Sequence, residues 1–489
     1  MTAREARIEF QRRQLTPEQL LELLEKQEQI IRRLQAELDR VKQRLAQYEP
    51  EIQQERRGRE ADGGPSTHYS VEAEEKRRRR KKRKKSPGRR PTQLKFSDAQ
   101  RIEMIYPARV RRGDCELVRE RAVWRLEQGR AVLVGYQIFR APGGKEPRIP
   151  GVTSRCEYGI EILVVLSFLV YIIGISLDKA CLVLGFFCRL PLSKSQADAL
   201  LRQLARHWET EFETLCELLV QASVVYLDET GWKVGQENCS LWAFISQRER
   251  VFLFGCRKDA ATLDTLLPPD VFGGVGVSDH AATYTNRFVA GQKCWAHLLR
   301  KAIRLALLYP QKRKYQQFLD KLLALYRDAK RAAADGRLGE AGRKRRVAEL
   351  EDRLCELCLP HWNKPAAKAR PDERDFYNLV NELLTLVMAE ELFTFVLRPD
   401  VEPTNNVSER ELRSPALDRK AGRTNKTAAG ARRRSVIVSV LQSLKANLEN
   451  FTLDAVVSEV TRWMKDGSSL FQETLQDLFG HQQPAADTS

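Results

Sequence analysis

A chain of 489 residues, 42% of them hydrophobic, has room for two to four domains and can bury a sizeable core. Its 83 Lys and Arg against 65 Asp and Glu leave a formal charge of +18, which says nothing of fold but marks a molecule drawn to polyanions, nucleic acid being the commonest. Ten cysteines scattered without a framework exclude the small disulfide-stapled class, and the charged opening Met1-Thr2-Ala3-Arg4-Glu5 predicts a protein of the reducing cytoplasm.

Leu24, Gln27, Ile31, Leu34, Leu38, Val41, Leu45 and Tyr48 alternate steps of three and four, a heptad seam that Leu20 extends. Residues 1–50 therefore read as a coiled-coil dimerisation helix, pairing chains as a homodimer or higher oligomer through residues 20–48; one amphipathic helix packed at home is the alternative. Pro50 ends the seam, and residues 51–91 read as a disordered basic linker. Within it Lys76, Arg77, Arg78, Arg79, Arg80, Lys81, Lys82, Arg83, Lys84 and Lys85 form an unbroken cationic run. Such a run reads as a sequence-independent, DNA-binding phosphate arm, with a solvated tail as the alternative; a nuclear-import signal would look the same.

Residues 92–155 predict a small β-rich domain with a hairpin turning at Gln128-Gly129. Residues 156–221 predict helices, including a possible helix-turn-helix broken near Leu190-Pro191, with Ser193 capping its second helix. The uncharged run Ile162–Leu177, sixteen residues between Glu161 and Asp178-Lys179, is short for a membrane span and reads as a buried core helix. From Val224 three strands, a helix and a strand predict an α/β core (222–299). A helical stretch (300–402), a helix reopening after Pro403 (403–466) and an unstructured tail (467–489) complete the chain.

Two carboxylates close apolar strands: Asp228 after Val224-Val-Tyr-Leu, and Asp279 after Gly274-Val-Gly-Val-Ser. Neighbouring strand-end carboxylates make a natural site for a hard cation such as Mg²⁺. A turn or N-cap role is the ordinary fate of each alone. Glu409 stays open on these grounds, because Asn406-x-x-Glu409 fits a capping box, as does Ser408-x-x-Glu411 one register later.

YLDETGW (226–232), VSDHAATY (277–284), QKCWAHLLRKA (292–302) and PTNNVSERELR (403–413), in that order, resemble the signatures of the sixty-sixth numbered family of bacterial insertion-sequence transposases. The resemblance covers roughly residues 150–465. It implies an α/β ribonuclease-H-like catalytic core interrupted by an all-α insertion, with the coiled coil and a helical DNA-binding region before it. It further implies that Asp228, Asp279 and Glu409 match an Asp-Asp-Glu triad holding Mg²⁺, with Mn²⁺ as an alternative. The implied activity is cleavage and strand transfer at insertion-sequence ends by a nucleoid-associated enzyme, with two ions about 3.5–4 Å apart. Arg410, Arg413 and Lys420 would face DNA phosphate, and His297, just after a strand, would stand behind the site.

The chain departs from the family in one respect. Paired Cys-x-x-Cys motifs usually precede the core, whereas residues 92–160 hold only Cys115 and Cys156, so a closed structural zinc site is not expected there. Cys294, His297, Cys355 and Cys358, with His361 beyond, could be assembled into another; buried small thiols are the better reading. Two rivals remain: a catalytically inactive, transposase-derived DNA-binding protein, and a membrane-attached protein using residues 162–177, for which the run is short.

Overall fold

Apolar alternation predicts a hairpin, and the computed structural model contains it. Glu116–Glu127 (β2) pairs antiparallel with Arg130–Arg140 (β3), and Arg101–Ile105 (β1) adds to β3 in parallel. Gln128 and Gly129 both take positive φ, 47° and 76°, as a two-residue turn matched to strand twist requires. The structure describes residues 95–153, 156–284, 287–362 and 370–480, all within the compact unit Arg90–Ser489. The heptad seam and the cationic run lie outside the described residues.

The uncharged run is not one helix. Ile160–Ser167 (α1) passes into a π turn, Phe168–Ile172, and stops. Gly174 follows at φ 76°, and a Cβ there would run into the Asp418 carboxylate. Leu177–Cys188 (α2) starts afresh from a Ser176 cap. α1 is buried almost all round, as expected of a core helix, and among the described residues no helix is long and apolar enough to cross a membrane. Lys194–His207 (α3) opens with the Ser193 cap, completed as a capping box by Gln196. Glu209–Val220 (α4) follows.

The second sheet has five strands in the order β6-β5-β4-β7-β8. Val224–Val234 (β4), Glu237–Ile245 (β5) and Arg250–Cys256 (β6) form an antiparallel meander. After the short helix Ala260–Asp264 (α5), Val275–Ser278 (β7) and Ala290–Lys293 (β8) join β4 in parallel. β4 is thus longer than the apolar run suggests: it continues past Asp228 because its second half still pairs with β5.

Both edges of this sheet are covered, which removes templates for unwanted pairing. Beyond Lys293, Trp295–Leu308 (α6), Arg313–Ala334 (α7), Glu340–Cys358 (α8), Pro371–Met388 (α9) and Thr394–Leu397 (α10) form a helical body. Its last segment seals β8. Lys293 N–H donates to the Glu391 carbonyl at 2.7 Å, the Thr394 hydroxyl to Gly291 O at 2.5 Å, and Phe395 N–H to the buried Gln292 Oε1 at 3.1 Å. Trp295 anchors the body by packing on Tyr326 and Phe393.

The opposite edge is sealed by side chains. Asn406–Lys420 (α11) lies against β4, and Ala428–Asn447 (α12) runs along β6. Ser435, Ser439 and Ser443 of α12 accept the N–H groups of Phe254, Phe252 and Arg250 at 2.9, 2.8 and 2.9 Å. Four helical residues advance about 6 Å and two strand residues about 6.6 Å, so a serine every fourth position keeps step with alternate strand amides. Ser439→Ala is expected to cost about 1–3 kcal/mol in chemical denaturation, because Phe252 N–H is left buried and unpaired; a loss below about 0.5 kcal/mol would contradict the pairing.

Leu453–Asp466 (α13) closes the helical stretch that runs to residue 466. The tail reading beyond it is corrected in part, since Leu470–Gly480 (α14) is helical and seats the buried Phe471 on Trp463 with ring centroids 5.8 Å apart. Residues 481–489 lie outside the described residues.

Candidate active site

Four buried residues, Val224 to Leu227, carry β4 to the level at which Asp228 appears, fifth of eleven strand residues rather than at its end. The parallel pairing of β4 with β7 runs at an offset of 51, Val224 beside Val275, and 51 also separates Asp228 from Asp279. Asp279 stands two residues past the last paired position, Val277. The register therefore carries the two aspartates to matching heights on adjacent strands, which lie about 4.8 Å apart. Asp279 Oδ1 accepts the Ala281 N–H at 3.1 Å, which holds its side chain at the strand exit.

Glu409 arrives from α11, and the start of that helix is tied to β4 by Asn405. The Asn405 side-chain amide donates to Leu227 O at 2.5 Å, and its Oδ1 accepts from the Ser408 hydroxyl at 2.6 Å. Asn405 is the N-cap, yet its side chain makes no cap hydrogen bond. Neither capping box forms: Glu409 lies past the cap, and Glu411 turns to Arg250 at 4.0 Å.

Burial pushes the Asp228 carboxyl up to about 7, and the negative charges of Glu229, Asp279 and Glu409 push in the same direction, against one N–H from Glu229. Both Asp279 and Glu409 are thus near enough to Asp228 for their charges to be felt. Glu409 itself leans towards α6, where Arg300 donates to Oε1 at 3.0 Å and His297 Nε2 stands 3.8 Å away. Among the described residues, one group of at least three possible metal ligands has its ligand atoms within 4.8 Å of one another: Cys294, His297 and Glu409. Cys355 and Cys358 are not in it. Cys358 is buried on α8, and His361 packs on Phe376.

Several charged neighbours had no local sequence signal. Glu229, its side chain 3% exposed, meets Lys258 at 2.5 Å and the Tyr284 hydroxyl. The ion pair raises the Lys258 ammonium, which also feels Asp279 and Asp228. Behind Asp279, the buried Lys293 donates to the Ser278 hydroxyl at 3.1 Å, and Ser278 donates to Asp279 O at 3.0 Å. Burial lowers the Lys293 ammonium. Only the pairing of Lys293 with Ser278 across adjacent strands could have pointed to it.

Arg410, Arg413 and Lys420 are exposed on α11. Arg413 and Lys420 follow Glu409 by four and eleven residues, within roughly 40° of it around a helix of 3.6 residues per turn. Lys194 ties α3 to Asp178 of α2 at 2.7 Å.

A family model described as the transposase IS66 family matches residues 156–433. No curated protein matches the chain. The match spans more than half of the chain and includes β4, β7, α6 and α11 with all three carboxylates, so this protein belongs to the IS66 transposase family.

Proposed function

We propose that the chain is an active DNA transposase, cleaving and joining strands at insertion-sequence ends with Asp228, Asp279 and Glu409 as ligands of Mg²⁺ or Mn²⁺. The observation that carries this reading is the shared offset of 51, which brings two aspartates together on parallel strands. An all-oxygen donor set suits a hard cation, and the Asp228 carboxyl, raised first by burial and then by its acidic neighbours, sits where a cation would offset both effects. A divalent cation bound there supplies the charge that activates an attacking hydroxyl and stabilises the departing oxygen.

The chain's own residues supply position and charge. Asn405 fixes Glu409 against the strand that bears Asp228. Lys258 is half-exposed beside the carboxylates and can exchange Glu229 for a phosphate oxygen. Arg413 and Lys420 offer a cationic face along α11. Two antiparallel neighbours on one side of β4 and parallel strands on the other support the ribonuclease-H-like reading. Among the described residues, five α-helices between β8 and α11 support the all-α insertion.

The cationic run 76–85 is proposed as a phosphate arm and the heptad seam 20–48 as the contact that pairs two chains at two DNA ends. Deleting residues 76–85 should weaken binding to unrelated sequences alike and flatten its salt dependence, read by fluorescence anisotropy across a salt series. Loss confined to one sequence would contradict the arm. A DNA-binding protein without turnover is the second reading, favoured by Glu409 being held by Arg300 of α6. Full-length protein with labelled donor DNA decides between them: nicked and joined products with Mg²⁺ and none without it support the enzyme, and binding without products in either Mg²⁺ or Mn²⁺ overturns it.

A further inference from the structure

Cys294 is the N-cap of α6, and His297 lies one turn further on. The Cys294 sulfur is buried and accepts the Asn405 N–H at 3.2 Å, and the backbone N–H groups of Ala296 and His297 turn to it as well. The His297 ring faces Glu409 through Nε2 at 3.8 Å, while its Nδ1 is buried with no hydrogen-bond partner among the described residues. One thiol, one imidazole and one carboxylate thus lie within 4.8 Å of one another. A buried cysteine alone is ordinarily an inert apolar group. Here it shares its corner with two other metal-binding groups, and an orphaned ring nitrogen shows that the corner is not satisfied by hydrogen bonding.

We propose that Cys294, His297 and Glu409 form a site for one borderline-soft divalent cation of the zinc type. Three protein ligands of mixed sulfur, nitrogen and oxygen, with a fourth position left to water, match the donor set and coordination number of zinc. Mg²⁺, which takes oxygen ligands, has little use for the sulfur. As the cation binds, the Cys294 thiol gives its proton to solvent, His297 enters as neutral imidazole, and Glu409 exchanges Arg300 for the metal. No redox step is involved. The cation would hold Glu409 on α6, so zinc and the cation of the Asp228–Asp279 site would compete for one carboxylate. The zinc site stands on the three side chains; only this competition rests on the role proposed above for Glu409.

Cobalt(II) is the probe, added to the metal-free full-length protein. One Co²⁺ per chain should give a sulfur-to-cobalt charge-transfer band that Zn²⁺ displaces. Cys294→Ser should abolish the band, His297→Ala should weaken binding by at least about tenfold, and Cys355→Ser should change nothing, with circular dichroism confirming that each variant is folded. A band that survives in both Cys294→Ser and His297→Ala, or a folded wild type without one, overturns the site. In the Mg²⁺-dependent cleavage assay, Zn²⁺ should inhibit the wild type at a concentration about tenfold lower than it inhibits His297→Ala. Cobalt binding as expected, with cleavage indifferent to Zn²⁺, would leave the zinc site standing and remove Glu409 from the cleavage site.

Discussion

Asp228→Asn is expected to abolish Mg²⁺-dependent cleavage while DNA binding persists and the metal-free protein becomes more stable at alkaline pH. An amide cannot balance a dication, and losing a group that acts on transition-state charge registers at about 10²–10³-fold. The stability change has its own cause. The Asp228 carboxyl titrates near 3.8 when unfolded and is pushed up to about 7 in the fold. Between those values the folded chain keeps a proton that the unfolded chain has lost, so stability falls as pH rises through the window. The full penalty is present above about 7. Asparagine removes it, and denaturation at pH ~8 without metal should show a gain on the order of 1–3 kcal/mol. Activity within tenfold of wild type, or a variant no more stable at that pH, would contradict the assignment.

The largest loss of stability is expected from Asp418→Ala. Asp418 and Arg434 form an ion pair, each side chain 6% exposed, between α11 and α12. Arg434 also lies over the rings of Trp232 and Phe254, 4.9 and 5.0 Å from their centroids. Gly174 abuts the same carboxylate from the bend after the π turn. Removing Asp418 strands a buried guanidinium, which costs about 3–5 kcal/mol, and should lower Tm by several degrees with cleavage reduced in proportion to the folded fraction. The double variant Asp418→Leu, Arg434→Met should recover most of the loss, since well-packed apolar residues replace a buried pair at little cost. A double variant no better than Asp418→Ala would show that this pairing is not what holds α11 to α12.

How far the chain can be read without its structure depends on the range of each signal. The hairpin at Gln128-Gly129 and the Ser193 cap are local, and the structure contains both as expected. The two aspartates were legible because apolar runs lead up to them; their meeting was not, since the shared offset of 51 appears only in the strand register. α12 carries little amphipathic signal because one of its buried rows is Ser435, Ser439 and Ser443, which look like a polar face until β6 supplies amides for them. The capping reading of Glu409 fails for a long-range reason too, the Asn405 side chain being committed to Leu227 O on β4. Lys258, Arg300 and Lys293 carry no local signal, since each acquires its meaning from a carboxylate brought near by folding.

The central claim is that Asp228, Asp279 and Glu409 bind the cation that cleavage requires, and a change of ligand softness tests it most directly. Asp228→Cys and Asp279→Cys replace oxygen with sulfur, a donor that Mg²⁺ accepts poorly and softer cations accept better. The measurement is the ratio of Mn²⁺- to Mg²⁺-supported cleavage of labelled donor DNA, for each variant against the wild type. Direct ligation predicts loss of Mg²⁺-supported cleavage with partial recovery in Mn²⁺, raising the ratio by at least about tenfold. Loss of cleavage in both metals to the same extent, with fold and DNA binding intact, would mean that the two aspartates do not hold the cation.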